Sequence, residues 1–140
     1  MRSAAPVFQL YRFSGETDLW WRLISPNGRG LGRAVTPFPS VADARAGLAL
    51  VVQHATELDL GVRLTADYRW HWTARLGGEA LAEGIGDQDR RVRCTDAGRR
   101  FQLLAPAAVV EVETAVFRRV IRTPLSVRGG SVRVGDGTAV

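Results

Sequence analysis

Residues 7–55 carry the pattern from which the fold is predicted and read VFQLYRFSGETDLWWRLISPNGRGLGRAVTPFPSVADARAGLALVVQHA. Its first part, Val7–Phe13, combines β-branched and aromatic residues without a breaker and predicts a strand. Residues 19–25 predict a second strand, and residues 30–38 predict a third. Between these two lies Asn27-Gly28, which tolerates the positive φ that a tight hairpin turn demands. The stretch therefore begins with three short strands.

An amphipathic helix follows these strands. Ser40 can cap the free N–H groups at its start, and Asp43 suits the positive end of the helix dipole. The helix is predicted over residues 40–55, with one apolar stripe formed by Val41, Ala44, Leu48, Val51, Val52 and Ala55. Such a stripe indicates a helix that covers one face of a sheet.

A weaker copy of this pattern comes next in the chain. Asp87 and Asp89 are interpreted as caps of a second helix, which Pro106 ends. The helix is predicted at residues 89–104, and strands are predicted at residues 58–66, 68–74, 80–85, 108–112 and 116–121. Residues 126–134 predict a small hairpin or a flexible tail.

The two copies align through their central aromatic strands. Trp21-Arg22-Leu23 is matched with Trp70-His71-Trp72, and the turn at Asn27-Gly28 is matched with Gly77-Gly78. In the second strand of the first copy, period-two alternation places Trp21 and Leu23 on one face and Trp20, Arg22 and Ile24 on the other. The alignment predicts an internal repeat.

The first copy also carries a spaced pattern that is known from a family. Its residues are Phe8, Leu10, Tyr11, Gly15, Trp21, Arg22, Leu23, Asn27, Gly28, Phe38, Ser40, Leu48, Val51 and Val52. This pattern resembles the YegP-like domain of unknown function. The second copy departs from the pattern, because His71 stands for the arginine and Gly77 for the asparagine. The resemblance implies a fold and carries no established activity.

The implied fold is α+β and consists of two tandem β-β-β-α-β units. In such proteins the units form one continuous antiparallel sheet with exchanged last strands and with helices on one face. The units would cover residues 1–57 and 58–113, followed by a basic β-strand or tail extension at 114–140. Two units together bury a larger core than one unit can bury alone. The predicted core residues are Trp21, Leu23, Leu48, Val51, Trp70, Trp72 and Phe101.

The composition is that of a globular protein, with 46% hydrophobic and 24% charged residues. No apolar run approaches the roughly 18 residues of a membrane helix. The first residues also lack the apolar core of a signal peptide. We therefore expect a cytoplasmic protein that is not inserted in a membrane.

The positive charge is unevenly distributed along the chain. Residues 1–88 hold nine Arg and nine acidic residues, whereas residues 89–140 hold ten Arg and five acidic residues, so the net charge of +5 lies in the last third. An excess of this kind is typical of a phosphate-backbone binder, although it can equally serve solubility. The candidate anion- or nucleic-acid-binding residues are Arg90, Arg91, Arg93, Arg99, Arg100, Arg118 and Arg119.

The two His residues and the single Cys are the candidates for catalysis or metal binding. His54 lies near a helix end, and His71 lies on the face of a strand, too far from His54 for a metal signature. Cys94, the only cysteine, is predicted to be a buried hydrophobic residue, although neighbouring arginines could activate its thiol. The sequence therefore predicts no catalytic residue, no metal site and no cofactor.

Three functions are compatible with these features. The favoured one is a non-enzymatic binding or interaction module, with weak binding of nucleic acid or of an acidic protein through an Arg-rich surface. The second is a small-molecule enzyme with a site between the two units, around His71. The third is a structural homo-oligomer.

Overall fold

The computed structural model describes residues 5–119 and contains one open sheet of eight strands with two α-helices. In chain order the elements are β1 (Val7–Phe13), β2 (Trp20–Ile24), β3 (Gly30–Ala34), α1 (Val41–His54), β4 (Asp59–Leu64), β5 (Trp70–Leu76), β6 (Glu79–Glu83), α2 (Arg91–Leu104), β7 (Val109–Val110) and β8 (Ala115–Phe117). A single turn of 3-10 helix follows each α-helix, at Ala55–Glu57 and Ala105–Ala107. The α+β class predicted from the sequence is confirmed.

The strand order of the sheet is β4-β5-β6-β3-β2-β1-β7, and β8 also pairs with β1. Neighbours from β4 to β1 are antiparallel, and the central β3–β6 pair is in register through Arg33 and Glu83 and through Ala34 and Ala82. The strands β7 and β8 run parallel to β1, so the prediction of a wholly antiparallel sheet is wrong at this edge. The parallel direction follows because the chain crosses the sheet through α2 before it returns beside β1.

The core lies between the sheet and the two helices. Alternate strand residues such as Phe8, Leu23 and Trp72 enter one cluster with the buried residues of both helices. Phe101 of α2 joins the two halves, because its ring centroid lies 6.1 Å from that of Trp21 and 5.3 Å from that of Trp72. Within the described residues, no helix packs on the other face of the sheet.

A glycine in β3 allows this close packing. A Cβ atom on Gly32 would lie 2.6 Å from the ring of Phe101, which is closer than real Cβ contacts. The strand β3 can therefore approach α2 only because this position has no side chain.

The two helices begin differently. The Ser40 side chain accepts a hydrogen bond of 3.1 Å from the backbone N–H of Asp43, as the cap prediction for α1 requires. The helix α2 begins after Arg90, and no side chain caps it. The interpretation of Asp87 and Asp89 as caps is wrong, because Asp87 instead bonds to His71.

The aromatic strand of the second half, β5, begins at Trp70 and ends at Leu76, two residues later at each end than the predicted strand at residues 68–74. Tyr68 lies in a turn with φ of 60° and is 80% exposed, so it does not belong to β5. Trp72 is buried as Trp21 is, whereas Trp70 is half-buried and bridges Gln88 as Leu19 bridges Phe38. The predicted match of Trp21 with Trp70 is therefore shifted by two residues, because two tryptophans at period-two spacing fit the pattern equally well.

The remaining predictions concern the end of the chain. The strand predicted at residues 116–121 is observed as β8, Ala115–Phe117, beside β1. The hairpin or tail predicted at residues 126–134 lies outside the described residues. Within residues 5–119, no helix has the length and apolar character needed to cross a membrane.

Candidate functional site

The sheet face opposite the helices carries most of the polar side chains that interact with one another. Alternation along each strand points these residues to the side of the sheet opposite the helices, although Tyr11 is buried there and Trp20 also packs against the core. We call this surface the open face and define it by Gln9, Tyr11, Trp20, Arg22, Arg33, His71 and Glu83.

His71 is held at both ring nitrogens by carboxylates. Its Nδ1 lies 2.8 Å from Asp87 Oδ1, and its Nε2 lies 3.3 Å from Glu83 Oε1. The hydrogen bond with Glu83 raises the pKa of His71 above its usual range; that with Asp87 adds to the rise, and burial opposes it. Because carboxylates accept hydrogen bonds, this geometry suits an imidazolium that donates from both nitrogens.

Glu83 extends this network to the next strand. Its Oε2 lies 3.1 Å from Arg33 Nε, while its other oxygen accepts from His71. Burial acts to raise the pKa of Glu83, but the hydrogen bond from His71 and the charge of Arg33 outweigh burial, and the pKa is lowered. Three strands, β5, β6 and β3, are thus joined by charged groups across the open face.

Arg22 lies at the other end of this row. Its Nε donates a hydrogen bond of 2.8 Å to Gln9 Oε1, and its guanidinium carbon lies 5.6 Å from the Tyr11 ring centroid and 5.0 Å from that of Phe117. Burial raises the pKa of Tyr11, and the nearby arginines, Arg33 first, only partly offset this rise. The phenol is therefore neutral near pH 7.

Both ring nitrogens of His71 are engaged by carboxylates, so the imidazolium has no free lone pair with which to accept a proton. A shallow open depression of about 440 Å³ lies elsewhere, between the β1–β2 turn and the start of α1, and is lined by residues that include Arg12, Glu16 and Val41. Among residues 5–119 there is no group of three side chains placed to hold a metal ion.

The five arginines predicted on the second helix are on the surface. Arg90, Arg91, Arg93, Arg99 and Arg100 are all exposed, and in the described part of the chain none of them forms an ion pair. The guanidinium carbon of Arg91 lies 5.6 Å from the ring centroid of Trp70. We call this group the α2 arginines.

The other two predicted arginines lie apart from the α2 arginines. Arg118 and Arg119 follow β8 at the β1 edge, whereas α2 packs on β3, β4 and β5. Arg119 makes a two-point contact with Glu16 at 2.9 Å and 3.1 Å and lies 3.9 Å from the ring centroid of Phe13. The seven residues are therefore not one surface, although they are close in sequence.

The predicted core residues are buried, with the exception of Trp70, and so is the cysteine. Trp21, Leu23, Leu48, Val51, Trp72 and Phe101 are buried, whereas Trp70 is half-buried. Cys94 is fully buried, and burial raises the pKa of its thiol, which disfavours the activated thiolate. His54 bonds to Glu57 at the end of α1 through a distance of 3.1 Å.

Sequence reasoning missed Arg33, Glu83 and Tyr11 as members of a site. Alternation already placed Arg22 and His71 away from the core face, and the same rule applies to Arg33 and Glu83. The sequence does not predict that β3 pairs with β6. This pairing brings Arg33 and Glu83 together, although they are fifty positions apart in the chain.

Two solved structures share this architecture. The solution structure of YegP from Escherichia coli, a protein of unknown function, has 13% identity, covers 81% of this chain and 97% of its own, and gives a TM-score of 0.68. The fold is YegP-like. The UPF0339 protein of Shewanella oneidensis gives a TM-score of 0.67 at 9% identity, covering 79% of this chain and 93% of its own. No protein-family model and no curated protein matches the chain, so the YegP-like likeness concerns the fold.

Proposed function

We propose that the chain is a non-enzymatic binding module built from two tandem units, at residues 1–57 and 58–113, with an extension at 114–140. The strand order supports this division, because β4, β5 and β6 form one half of the sheet, β1, β2 and β3 form the other, and the two halves meet where β6 pairs with β3. The helices also bury corresponding positions: Ala44, Leu48 and Val51 in α1, and Cys94, Gly98 and Phe101 in α2. A cytoplasmic location stays a prediction.

The ligand of this module is proposed to be nucleic acid, bound weakly through the α2 arginines. The observation that carries the proposal is that four exposed arginines lie on α2 and a fifth, Arg90, immediately precedes it, and none of the five has an ion-pair partner within residues 5–119. Guanidinium groups make strong two-point contacts with phosphate oxygens. Contacts to the phosphate backbone carry no sequence information, so binding is expected to tolerate any sequence.

A salt titration tests the proposal. Fluorescence anisotropy with single- and double-stranded probes at about 50 mM salt is expected to detect binding whose logarithm falls linearly with the logarithm of salt concentration. Replacing Arg90, Arg91 and Arg93 together with Gln is expected to reduce the salt slope by roughly two to three.

The matched control removes the same charge from elsewhere on the surface. Arg29, Arg63 and Arg75 are exposed and lie outside α2, so replacing all three with Gln tests net charge alone. The control variant is expected to keep most of the slope. Absence of binding to every probe, or an equal change in both variants, argues against the α2 arginines as a nucleic-acid site.

A protein partner is the second candidate. The outer side of α2 exposes Val92 at 61% and Leu103 at 72%, and apolar side chains of this kind suit a protein surface better than a phosphate backbone. The partner would be an acidic protein or a second copy of this chain. Sedimentation of the purified chain over a range of concentrations distinguishes self-association from a monomer.

A further inference from the structure

Two arginines face each other across neighbouring strands of the open face. Arg22 of β2 and Arg33 of β3 are directly opposite in the antiparallel register. Like charges placed directly opposite destabilise a pair of strands. Glu83 compensates Arg33, but within residues 5–119 no carboxylate pairs with Arg22.

Each of the two guanidinium groups forms its hydrogen bond through Nε. Arg22 uses this atom to bond to Gln9 at 2.8 Å, and Arg33 uses it to bond to Glu83 at 3.1 Å. The rings of Tyr11 and Phe117 further restrict Arg22. In the part of the chain that is described, neither arginine donates a hydrogen bond through its terminal Nη atoms. The terminal N–H groups of both arginines therefore remain available to bind a ligand, while Nε fixes the position of each guanidinium group.

Arg22 is a cation of the network that has no carboxylate partner within residues 5–119. Glu83 pairs with Arg33 and with His71, and Asp87 pairs with His71. A carboxylate ligand would supply the partner that Arg22 lacks.

The side chains around Arg22 are aromatic. Tyr11, Trp20 and Phe117 lie on or beside the open face, and the neutral Tyr11 hydroxyl can donate a hydrogen bond. The indole Nε1 of Trp20 is buried and has no hydrogen-bond partner among the described residues. Buried donors of this kind are normally satisfied, so this atom is a further candidate to meet a ligand.

We propose that the open face binds a small organic carboxylate between Arg22 and Arg33. The planar carboxylate matches the planar guanidinium fork and supplies the partner that Arg22 lacks. The aromatic side chains contact the apolar body of the ligand. This site lies on the opposite side of the sheet from α2 and is independent of nucleic-acid binding there.

Nuclear magnetic resonance of the full-length, isotope-labelled chain tests the proposal. Sodium benzoate is added at constant ionic strength, with sodium chloride as the reference, and the N–H signals of the arginine Nε and tryptophan Nε1 atoms are followed. The expected result is a saturable shift at Arg22, Arg33 and Trp20, with a dissociation constant of about 1 mM. Benzyl alcohol, which has the ring without the charge, is expected to give no such shift.

Three variants make the test specific. Replacing Arg22 with Gln is expected to weaken benzoate binding about tenfold or more, because a charged two-point contact is lost. Arg22→Lys keeps the charge and loses the fork, so it is also expected to bind more weakly and it decides the matter if the Gln variant does not fold. The control is Arg75→Gln, which removes one charge from an exposed position of β5 and is expected to bind as the wild type does.

Three results would overturn the proposal. The first is the absence of a saturable shift with benzoate, and the second is equal weakening by Arg22→Gln and Arg75→Gln. The third is tighter binding of inorganic phosphate than of benzoate, which would contradict the assignment to a carboxylate.

Discussion

On β2 the covered face carries Trp21 and Leu23, whereas the open face carries Trp20 and Arg22. The covered side chains are at most 1% exposed and pack on rings and methyl groups. The open side chains are half-buried, and Arg22 is held by a hydrogen bond and by two aromatic rings. One strand thus serves a hydrophobic core on one side and a charged network on the other. We expect substitutions on the two faces to differ in size and in their dependence on pH.

The largest effect is expected for the tryptophan of the covered face. Trp21→Ala should reduce the free energy of unfolding by about 3–5 kcal/mol, because it leaves a cavity beside Phe8 and Phe101. Trp20→Ala should cost less, since Trp20 is only half-buried. Denaturant melts measure both variants. A loss below about 1 kcal/mol for Trp21→Ala would contradict the packing of this side chain in the core.

A smaller effect is expected when the covered face is overfilled. Gly32→Ala should destabilise the chain by about 1–3 kcal/mol, because the new methyl group would collide with the buried ring of Phe101. The control is Gly61→Ala in β4, where the nearest atom to the added Cβ is 3.9 Å away. Thermal melts of both variants compare them. Equal melting temperatures would show that Phe101 and α2 can shift to accommodate the added methyl group without loss of stability.

The open face should respond to pH, because His71 titrates there. A raised pKa means that the folded state binds the proton more tightly, so this stabilisation is complete below the unfolded pKa of about 6.5 and is lost as pH rises through the folded pKa. Glu83 has a lowered pKa, so its contribution is present above about 4.5 and is lost as pH falls through its folded pKa. Two further charged groups lie beside His71. Asp87 is hydrogen-bonded to the His71 ring, and Arg63 of β4 is opposite His71 in the strand register.

His71→Gln is the variant that tests this dependence. It should cost about 1–2 kcal/mol at pH values between about 4.5 and 6.5, where the contributions of Glu83 and His71 are both complete, and less at higher pH. Denaturant melts from about pH 5 to pH 9 give the profile of each protein. Parallel profiles for the wild type and the variant would exclude His71 as the titrating group, and Trp21→Ala should lower stability by the same amount at every pH.

The smallest effect is expected at a helix end away from both faces. Ser40→Ala should cost about 1 kcal/mol, because it removes the side chain that accepts from the Asp43 N–H. Asp89→Ala is the control, since α2 has no side-chain cap, and it should change stability by less than about 0.5 kcal/mol. Chemical denaturation compares the two. A larger loss at Asp89 would place a cap on α2 after all.

Local patterns were enough for most elements of the first half. The strand β1 has the bounds that its sequence predicts, and α1 lies within the predicted range with its cap at Ser40. In the second half the same rules placed Tyr68 in a strand, because alternating aromatic residues extend beyond the point where the turn begins. Asp87 was interpreted as a cap for a similar reason: an acidic residue before a helix is typical of one, and its actual partner, His71, is sixteen positions away.

The alternation of Trp21 and Arg22 and the two helices follow from local sequence, since each depends on neighbours within a few residues, and the uneven charge follows from composition. The pairing of distant strands follows from the fold of the whole chain. It placed Arg33 beside Glu83 and opposite Arg22, and it separated Arg119 from the α2 arginines. The physical reason is that pairing between distant strands depends on the whole core, in which Phe101 packs between the tryptophans of both halves.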